Sequence, residues 1–254
     1  MQLAAKSLLD QLDQELVAVR ARINTRPTLA LIWVGDDKPT EKFVNAKQKK
    51  AVALECDFLL HHFERASFRQ LEAMIEGLNN NSEITGIVLQ LPLPAEIDAD
   101  RLISQIDPKK DIDGLTPNSP YQCPTPSGIV ALLEANKINP ADKKTVIIGA
   151  GRLVGLPLAK IFHQKGWPYQ LIASEAEKHI EEIRSADILI ACTGVENLVT
   201  PKMIHDKMIV IDGSSVDVDV KVIEPLVAAI TPARGAIGPL TVAYLFKNLL
   251  EAAG

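Results

Sequence analysis

The stretch that decides the fold is Val146-Ile147-Ile148-Gly149-Ala150-Gly151-Arg152-Leu153-Val154-Gly155. Its first three residues form a β-branched apolar run, which predicts a buried parallel strand. Beyond the glycines, Leu158, Ile161 and Phe162 recur at helical spacing. A strand, a glycine turn and a helix in this order bring backbone N–H groups and the positive end of a helix dipole up to a phosphate. The stretch fits a dinucleotide-binding turn, and it equally fits an ordinary turn of an α/β domain.

The glycine spacing is G-x-G-x-x-x-G, one residue longer than the usual dinucleotide fingerprint. If the turn binds a cofactor, a Cβ at the glycines would block the approach of the pyrophosphate. The residues predicted to line the cofactor are then Gly149, Ala150, Gly151, Val154 and Gly155. Cys192 and Thr193 end a later strand, near where a nicotinamide would lie, and we expect the Cys192 thiol to be a small buried group rather than a nucleophile.

An acidic residue follows the second strand of this part of the chain. Glu175 lies 26 residues after Gly149, where a carboxylate can accept hydrogen bonds from an adenosine ribose and repel a 2′-phosphate. The alternative is a helix start, with Ser174 as the N-cap and Glu177 completing a capping box. The glycine turn favours the cofactor interpretation.

The composition is that of a globular protein, with 47% hydrophobic and 23% charged residues in a chain of 254. The net charge of −5 argues against nucleic acid or an anionic membrane as the main partner. Three widely spaced cysteines indicate a reducing compartment without a disulfide or zinc framework. The histidines show no ligand spacing, so no metal is predicted. The first residues lack the apolar run of a signal peptide, and we expect a cytoplasmic protein.

Strands that alternate with helices predict two α/β lobes with parallel sheets. The expected strands are 29–34, 58–63, 84–94 with its proline-rich exit, 145–149, 169–173, 187–191, 208–211 and 228–231. The expected helices are 3–24, one capped by Thr40, 67–79, 100–106, one capped by Thr125 that runs to about 137, and 242–253. A proline-dense link at 116–126 marks the boundary between the lobes.

Polar groups stand out in the N-terminal lobe. Phe43 and Lys47 share one face of a helix, and a lysine beside an aromatic ring can act as an acid or base or stabilise a cation. Its lysine-rich surroundings favour a solvated side chain instead. Asp111 and Asp113 can grip an amidine-like edge through paired hydrogen bonds or stabilise a turn, and both readings stay open. Gln90 ends a buried strand, where open α/β sheets place their ligands.

Together these stretches resemble the bifunctional methylenetetrahydrofolate dehydrogenase/methenyltetrahydrofolate cyclohydrolase family. The resemblance covers nearly the whole chain in order. Its most specific part is the pair of segments 90–94, Gln-Leu-Pro-Leu-Pro, and 111–114, Asp-Ile-Asp-Gly. The other matching segments are 34–37, 86–89, 107–110, 125–128, 154–157, 186–190 and 238–241, together with Lys47 on its helix.

The resemblance implies a fold and an activity. It implies an N-terminal folate lobe at 1–115, completed by the C-terminal helix at 240–254, and a Rossmann-like lobe at 116–239 that binds NAD or NADP, with a cleft between them. Members oxidise 5,10-methylenetetrahydrofolate by hydride transfer and hydrolyse the methenyl product to 10-formyltetrahydrofolate. They usually form homodimers. By position, Lys47 is the catalytic lysine, Gln90 its hydrogen-bonded partner and Asp113 the acid that holds the pterin. The implied substrate-binding residues are Phe43, Leu91, Pro92, Pro232 and Gly235.

The chain departs from the family pattern at four places. Phe43 replaces the family tyrosine and lacks its hydroxyl. Ala150 and Gly151 replace an Arg-Ser pair, and Glu175 replaces an arginine, so groups that would hold a 2′-phosphate are missing and NAD is favoured. Arg234 lies in the folate loop, where the family has a proline. The link between 114 and 125 is shorter than usual.

Three other interpretations remain open at this level. The first is a dehydrogenase that has lost the hydrolase step with the tyrosine hydroxyl. The second is a paralogue that binds folate or nucleotide without turnover. The third is a shikimate-dehydrogenase-like enzyme, which would leave the segment 90–92 unexplained.

Overall fold

A computed structural model describes residues 1–254, which divide into two compact units. One unit comprises Leu12–Pro124 and Val242–Gly254. Its sheet has three parallel strands in the order β2-β1-β3. The strands are β1 (Thr28–Val34), β2 (Asp57–Phe63) and β3 (Gly86–Leu89). All seven residues of β1 are buried, as expected for a central strand covered on both faces.

The other unit comprises Met1–Gln11 and Thr125–Thr241. Its sheet has five parallel strands in the order β5-β4-β6-β7-β8. The strands are β4 (Thr145–Ile148), β5 (Tyr169–Ile172), β6 (Ile188–Ala191), β7 (Ile209–Asp212) and β8 (Ala229–Ile230). The predicted α/β class with parallel sheets is therefore confirmed.

The helices follow the strands along the chain. They are α1 (Lys6–Arg20), α2 (Lys38–Ala53), α3 (Phe68–Asn80), α4 (Ala99–Ile103), α5 (Pro124–Ala135), α6 (Gly155–Gln164), α7 (Ile180–Arg184), α8 (Val220–Ile223) and α9 (Ile237–Ala253). None of them combines the length and hydropathy that a membrane span requires.

Three helices begin several residues earlier than predicted or at a proline before the predicted cap, and each has a proline in its first turn. Asp37, not Thr40, caps α2, and its carboxylate accepts a hydrogen bond from the Thr40 N–H. Helix α5 begins at Pro124 rather than after Thr125, and α9 begins at Ile237 rather than Val242. Pro39, Pro124 and Pro239 were predicted to lie in the turns and loops before these helices, although the first turn of a helix tolerates a proline because it needs no N–H there.

The loop that follows α4 is held by a buried carboxylate. Asp111 is only 1% exposed, and its Oδ2 accepts a hydrogen bond of 2.6 Å from the Thr116 N–H. The Asp111 carbonyl accepts two more, from the Gly114 N–H and the Ser119 hydroxyl. Of the two readings left open for this residue, turn chemistry is the one that the geometry supports. Burial raises the pKa of Asp111 to about 6, although the Thr116 N–H opposes the shift.

The glycine turn after β4 is packed too tightly for side chains. Gly149 has φ of +97°, and a Cβ there would lie 2.7 Å from the Cys192 carbonyl oxygen, at the end of β6. A Cβ at Gly155 would overlap the carbonyl oxygen of Gly149 itself. The turn thus folds back on its own backbone and against the neighbouring strand end.

Gly155→Ala should therefore destabilise the protein by about 3 kcal/mol, because the new methyl group meets backbone that cannot move aside. Gly151→Ala is the matched control, since nothing lies within 4 Å of its Cβ position. Denaturant unfolding of both variants measures the difference. Equal stability of the two variants would contradict the packing of the turn.

Asp111→Asn tests the buried carboxylate. The folded-state pKa of Asp111 is raised, so its contribution to stability is present at low pH and is lost as pH rises from about 4 to about 6. The asparagine variant does not titrate there. Its stability relative to the wild type should therefore rise with pH, by up to about 3 kcal/mol between pH 4 and 7. Unfolding curves that stay parallel across this range would show that Asp111 has an ordinary pKa.

Candidate active site

Lys47 and Gln90 are joined by a hydrogen bond, although they lie 43 residues apart in sequence. Lys47 Nζ donates to Gln90 Oε1 at 2.8 Å. Gln90 directly follows β3, and its own amide donates to the Leu91 carbonyl at 2.9 Å. Lys47 lies on α2, which follows the neighbouring strand β1. The carboxyl ends of two adjacent parallel strands thus bring the two side chains together.

Lys47 is buried, with an exposed fraction of 6%. It lies on the buried face of α2, with Thr40, Val44 and Ala51. The solvated lysine that composition favoured is therefore wrong. Burial lowers the pKa of Lys47, and the charge of Asp113 opposes that shift. An amine in this setting can change its protonation state more readily than a surface lysine.

Asp113 interacts electrostatically with Lys47. Burial raises the pKa of Asp113, and the charge of Lys47 lowers it in part. The side chain keeps some exposure to solvent. The three residues that the resemblance named as catalytic therefore converge in one place: an amine, an amide and a carboxyl group, all within the unit that contains the three-stranded sheet.

Two residues that the sequence analysis missed hold the loop that carries Asp113. Lys110 Nζ donates to the carbonyls of Leu78, Asn79 and Asn81 at the end of α3, at 2.9, 2.7 and 2.7 Å. The Lys110 carbonyl accepts from the Ile87 N–H on β3 at 2.7 Å. On α9, the Asn248 amide donates to the carbonyls of Ile112 and Gln122. The only signal in the sequence is a lone asparagine on an apolar helix, at position 248.

The predicted substrate-binding residues fall into both units. Phe43 lies one turn before Lys47 and is 41% exposed, so its ring is available to a ligand. Leu91 is partly buried and Pro92 is exposed, directly after Gln90. Pro232 and Gly235 lie between β8 and α9 in the unit with the five-stranded sheet, where Gly235 has φ of +81° and Arg234 is exposed.

The predicted cofactor residues gather at the carboxyl ends of β4 and β6, where the strand order of the five-stranded sheet reverses. The glycine turn follows β4, and Cys192 and Thr193 follow β6. Helix α6 begins after Val154 without a side-chain cap, and the Leu156 N–H in its first turn donates to the Gly151 carbonyl at 3.1 Å.

Glu175 follows β5, on the other side of β4. Its φ of 54° is left-handed, its side chain is exposed, and it forms an ion pair with Lys178. Glu175 itself occupies the N-cap position of the short 3-10 helix Ala176–Lys178, with no side-chain cap bond. The alternative in which Ser174 caps a helix is therefore wrong.

Cys192 is buried, as predicted. Burial, with smaller contributions from the charges of Asp217 and Asp212, raises the pKa of its thiol far above the usual range. A thiol held protonated in this way packs as an apolar group and does not act as a nucleophile at neutral pH.

Comparison with known proteins places both units in one family. Residues 2–113 match the model of the tetrahydrofolate dehydrogenase/cyclohydrolase catalytic domain, and residues 123–254 match that family's NAD(P)-binding domain. The chain is 35% identical to the bifunctional protein FolD of Prochlorococcus marinus over 283 aligned residues, which cover 98% of this chain and 93% of the relative.

Solved structures agree with this assignment. The bifunctional FolD dehydrogenase/cyclohydrolase of Campylobacter jejuni superposes with a TM-score of 0.90 at 29% identity, over 100% of this chain and 98% of that one. The Trypanosoma brucei methylenetetrahydrofolate dehydrogenase-cyclohydrolase, solved with NADP and an inhibitor, superposes with a TM-score of 0.91 at 26% identity, over 100% and 97%. The chain belongs to the tetrahydrofolate dehydrogenase/cyclohydrolase family.

Proposed function

We propose that this protein oxidises 5,10-methylenetetrahydrofolate with NAD(P) and hydrolyses the methenyl product to 10-formyltetrahydrofolate. The observation that carries the proposal is the hydrogen bond between Lys47 and Gln90, together with the electrostatic interaction of Lys47 with Asp113. Family membership supplies the substrate, and this cluster supplies the groups that the hydrolytic step needs. The family assignment also removes the reason to consider a shikimate-dehydrogenase-like enzyme.

The two steps ask different things of the protein. A bound nicotinamide would supply the hydride acceptor for oxidation of the one-carbon bridge of the folate, and because a delocalised cation would result, the protein's contribution to this step would be placement. In the hydrolytic step, water adds to that methenyl carbon and loses one proton. The resulting hydroxyl then loses its proton as the carbonyl of the formyl group forms, while one C–N bond breaks and the released nitrogen takes up a proton. We assign the proton handling to Lys47, because its lowered pKa makes the neutral amine accessible. Gln90 holds the amine in place, and Asp113 anchors the pterin.

We assign the remaining contacts by position. Phe43, Leu91 and Pro92 would pack against the pterin, and Pro232 and Gly235 are assigned to substrate binding by their positions in the loop before α9. The unit with the three-stranded sheet would serve as the folate lobe, near the predicted bounds 1–115 with 240–254, and the unit with the five-stranded sheet as the nucleotide lobe, near the predicted bounds 116–239. The functional unit would be a homodimer, as the resemblance implies.

For the cofactor, we propose NAD rather than NADP. Glu175 is an exposed carboxylate at the place where the adenosine ribose is expected, and it would repel a 2′-phosphate. At Ala150 and Gly151 the turn offers no side chain that could hold that phosphate. The family's NAD(P)-binding domain is compatible with either cofactor.

A second candidate function is that of a dehydrogenase without the hydrolase step. The observation that favours it is Phe43, which lies one turn before Lys47 and has no hydroxyl to orient the amine. A paralogue that binds folate or nucleotide without turnover is the third candidate, and the turnover assay below distinguishes all three.

Phe43→Tyr should raise methenyl hydrolysis by about fivefold, because one added hydrogen bond to the amine is worth roughly 1 kcal/mol. The assay follows the absorbance of NADH and of the methenyl compound after methylenetetrahydrofolate and NAD are mixed with the protein.

Lys47→Met should abolish hydrolysis while binding of folate survives. Lys49→Met is the control, because Lys49 is an exposed lysine on the same helix, and this substitution should leave hydrolysis unchanged. No NADH from the wild type would exclude the proposed oxidation. No gain from the tyrosine would refute the role assigned to its hydroxyl.

The wild type should have a higher kcat/KM for NAD than for NADP, and Glu175→Gln should raise kcat/KM for NADP by roughly tenfold by removing a like charge from the phosphate. Glu177→Gln is the matched control, because it removes an exposed acid two residues away. Steady-state rates with each cofactor decide the matter. A wild-type enzyme that prefers NADP, or an equal response of both variants, would contradict the assignment of Glu175.

A further inference from the structure

A buried acid beside the cofactor turn has no role in the mechanism described above. Asp217 is completely buried. Its Oδ2 accepts a hydrogen bond of 2.6 Å from the backbone N–H of Thr193, and its buried Oδ1 has no hydrogen-bond partner. Burial of a carboxylate costs free energy unless its oxygens are hydrogen-bonded. The bond from the Thr193 N–H offsets part of that cost and links Asp217 to the segment that contains Thr193.

Asp217 belongs to a turn that is wound around a second buried acid. Asp212 ends β7, and its Oδ1 accepts from the Ser214 hydroxyl at 3.1 Å and the Asp217 N–H at 3.4 Å. Its Oδ2 accepts from the Val218 N–H at 3.3 Å. These hydrogen bonds fix the turn to the end of β7 and so hold the Asp217 side chain in place.

The segment held by Asp217 is the loop after β6. Farther along this loop, backbone hydrogen bonds run from the Asn197 N–H to the Val216 carbonyl and from the Val199 N–H to the Asp217 carbonyl, at 2.9 and 3.0 Å. Closer to β6, the Thr193 N–H donates to the Asp217 carboxylate. This hydrogen bond ties the Thr193 backbone to the turn after β7.

Thr193 and Cys192 form one side of the place where the strand order reverses. A Cβ at Gly149 would lie 2.7 Å from the Cys192 carbonyl oxygen and 3.0 Å from Thr193 Cγ2. Because Glu175 lies beyond β5 and Thr193 beyond β6, on opposite sides of β4, a dinucleotide with its pyrophosphate at the glycine turn sends one nucleoside to each side. With the adenosine at Glu175, the nicotinamide half is the one next to Thr193.

We propose that Asp217 is a positioning residue for the nicotinamide half of the dinucleotide, which it serves by fixing the Thr193 backbone against the glycine turn. The inference rests on the proposed function, in that this unit must bind NAD(P). It assigns no direct contact between Asp217 and the cofactor. In this proposal Asp217 affects the binding of the nicotinamide half of the dinucleotide, and the residues after β5 affect the binding of the adenosine half.

The test compares the binding of NAD with that of ADP-ribose, which lacks the nicotinamide, by isothermal titration of the full-length protein. Asp217→Ala should raise the Kd for NAD by roughly tenfold or more and leave the Kd for ADP-ribose within about twofold. Asp217→Asn keeps an acceptor for the Thr193 N–H, so it should lie between the wild type and the alanine variant. It also replaces the alanine variant if that protein does not fold.

Asp219→Ala is the matched control. Asp219 caps α8 by accepting from the Lys221 N–H at 3.0 Å, so its loss weakens the same region without touching Thr193. Both Kd values should stay at their wild-type levels in this variant. Equal losses for NAD and ADP-ribose at Asp217, an unchanged Kd for NAD in both Asp217 variants, or the same split in Asp219→Ala would overturn the inference. A wild-type protein that binds neither ligand would instead refute the proposed nucleotide site.

Discussion

The candidate active site depends on keeping an amine out of water beside a carboxyl group. A charged lysine is stable in such a place only if it is paired and hydrogen-bonded. Gln90 accepts a hydrogen bond from Lys47, and the charge of Asp113, on a different segment, favours the protonated amine. The local fold brings the side chains of Lys47, Gln90 and Asp113 near one another. Burial lowers the pKa of Lys47 toward the range in which the amine can exchange a proton.

Each unit uses the same geometric device by itself. In the three-stranded sheet the order β2-β1-β3 reverses at β1, and in the five-stranded sheet the order reverses at β4. In the first sheet, Lys47 follows β1 and Gln90 follows the adjacent strand β3. In the second, the glycine turn follows β4 and Thr193 follows the adjacent strand β6. Where the strand order reverses, the connections after adjacent strands leave in opposite directions and leave a crevice at the carboxyl ends of those strands. Both candidate sites lie at such a point.

The sequence predicted the strands well because β-branched apolar runs and their spacing depend on local chemistry. The starts of α2 and α5, near Pro39 and at Pro124, were misplaced, because residue type alone does not distinguish a proline in the first turn of a helix from a proline that ends one. Composition favoured a surface position for Lys47, since burial is set by which face of α2 meets the sheet. The grouping of Lys47 with Asp113 came from the resemblance, and its geometry required coordinates. The contacts of Asp217 and Lys110 join distant segments and leave no pattern in the chain.

The clasp that Lys110 forms on the end of α3 constrains the protein in an unusual way. Its three acceptors are backbone oxygens, so the hydrogen bonds of the Lys110 ammonium group do not depend directly on which side chains occupy positions 78, 79 and 81. Substitutions that preserve the path of the chain leave the clasp intact. An inserted or deleted residue between 78 and 81 would move all three oxygens at once and shift the loop of Asp113 with them. The clasp therefore constrains the length of this corner, whereas the side chain of Asn79 is constrained separately by its hydrogen bonds with the Gln105 carbonyl and the Asp107 N–H.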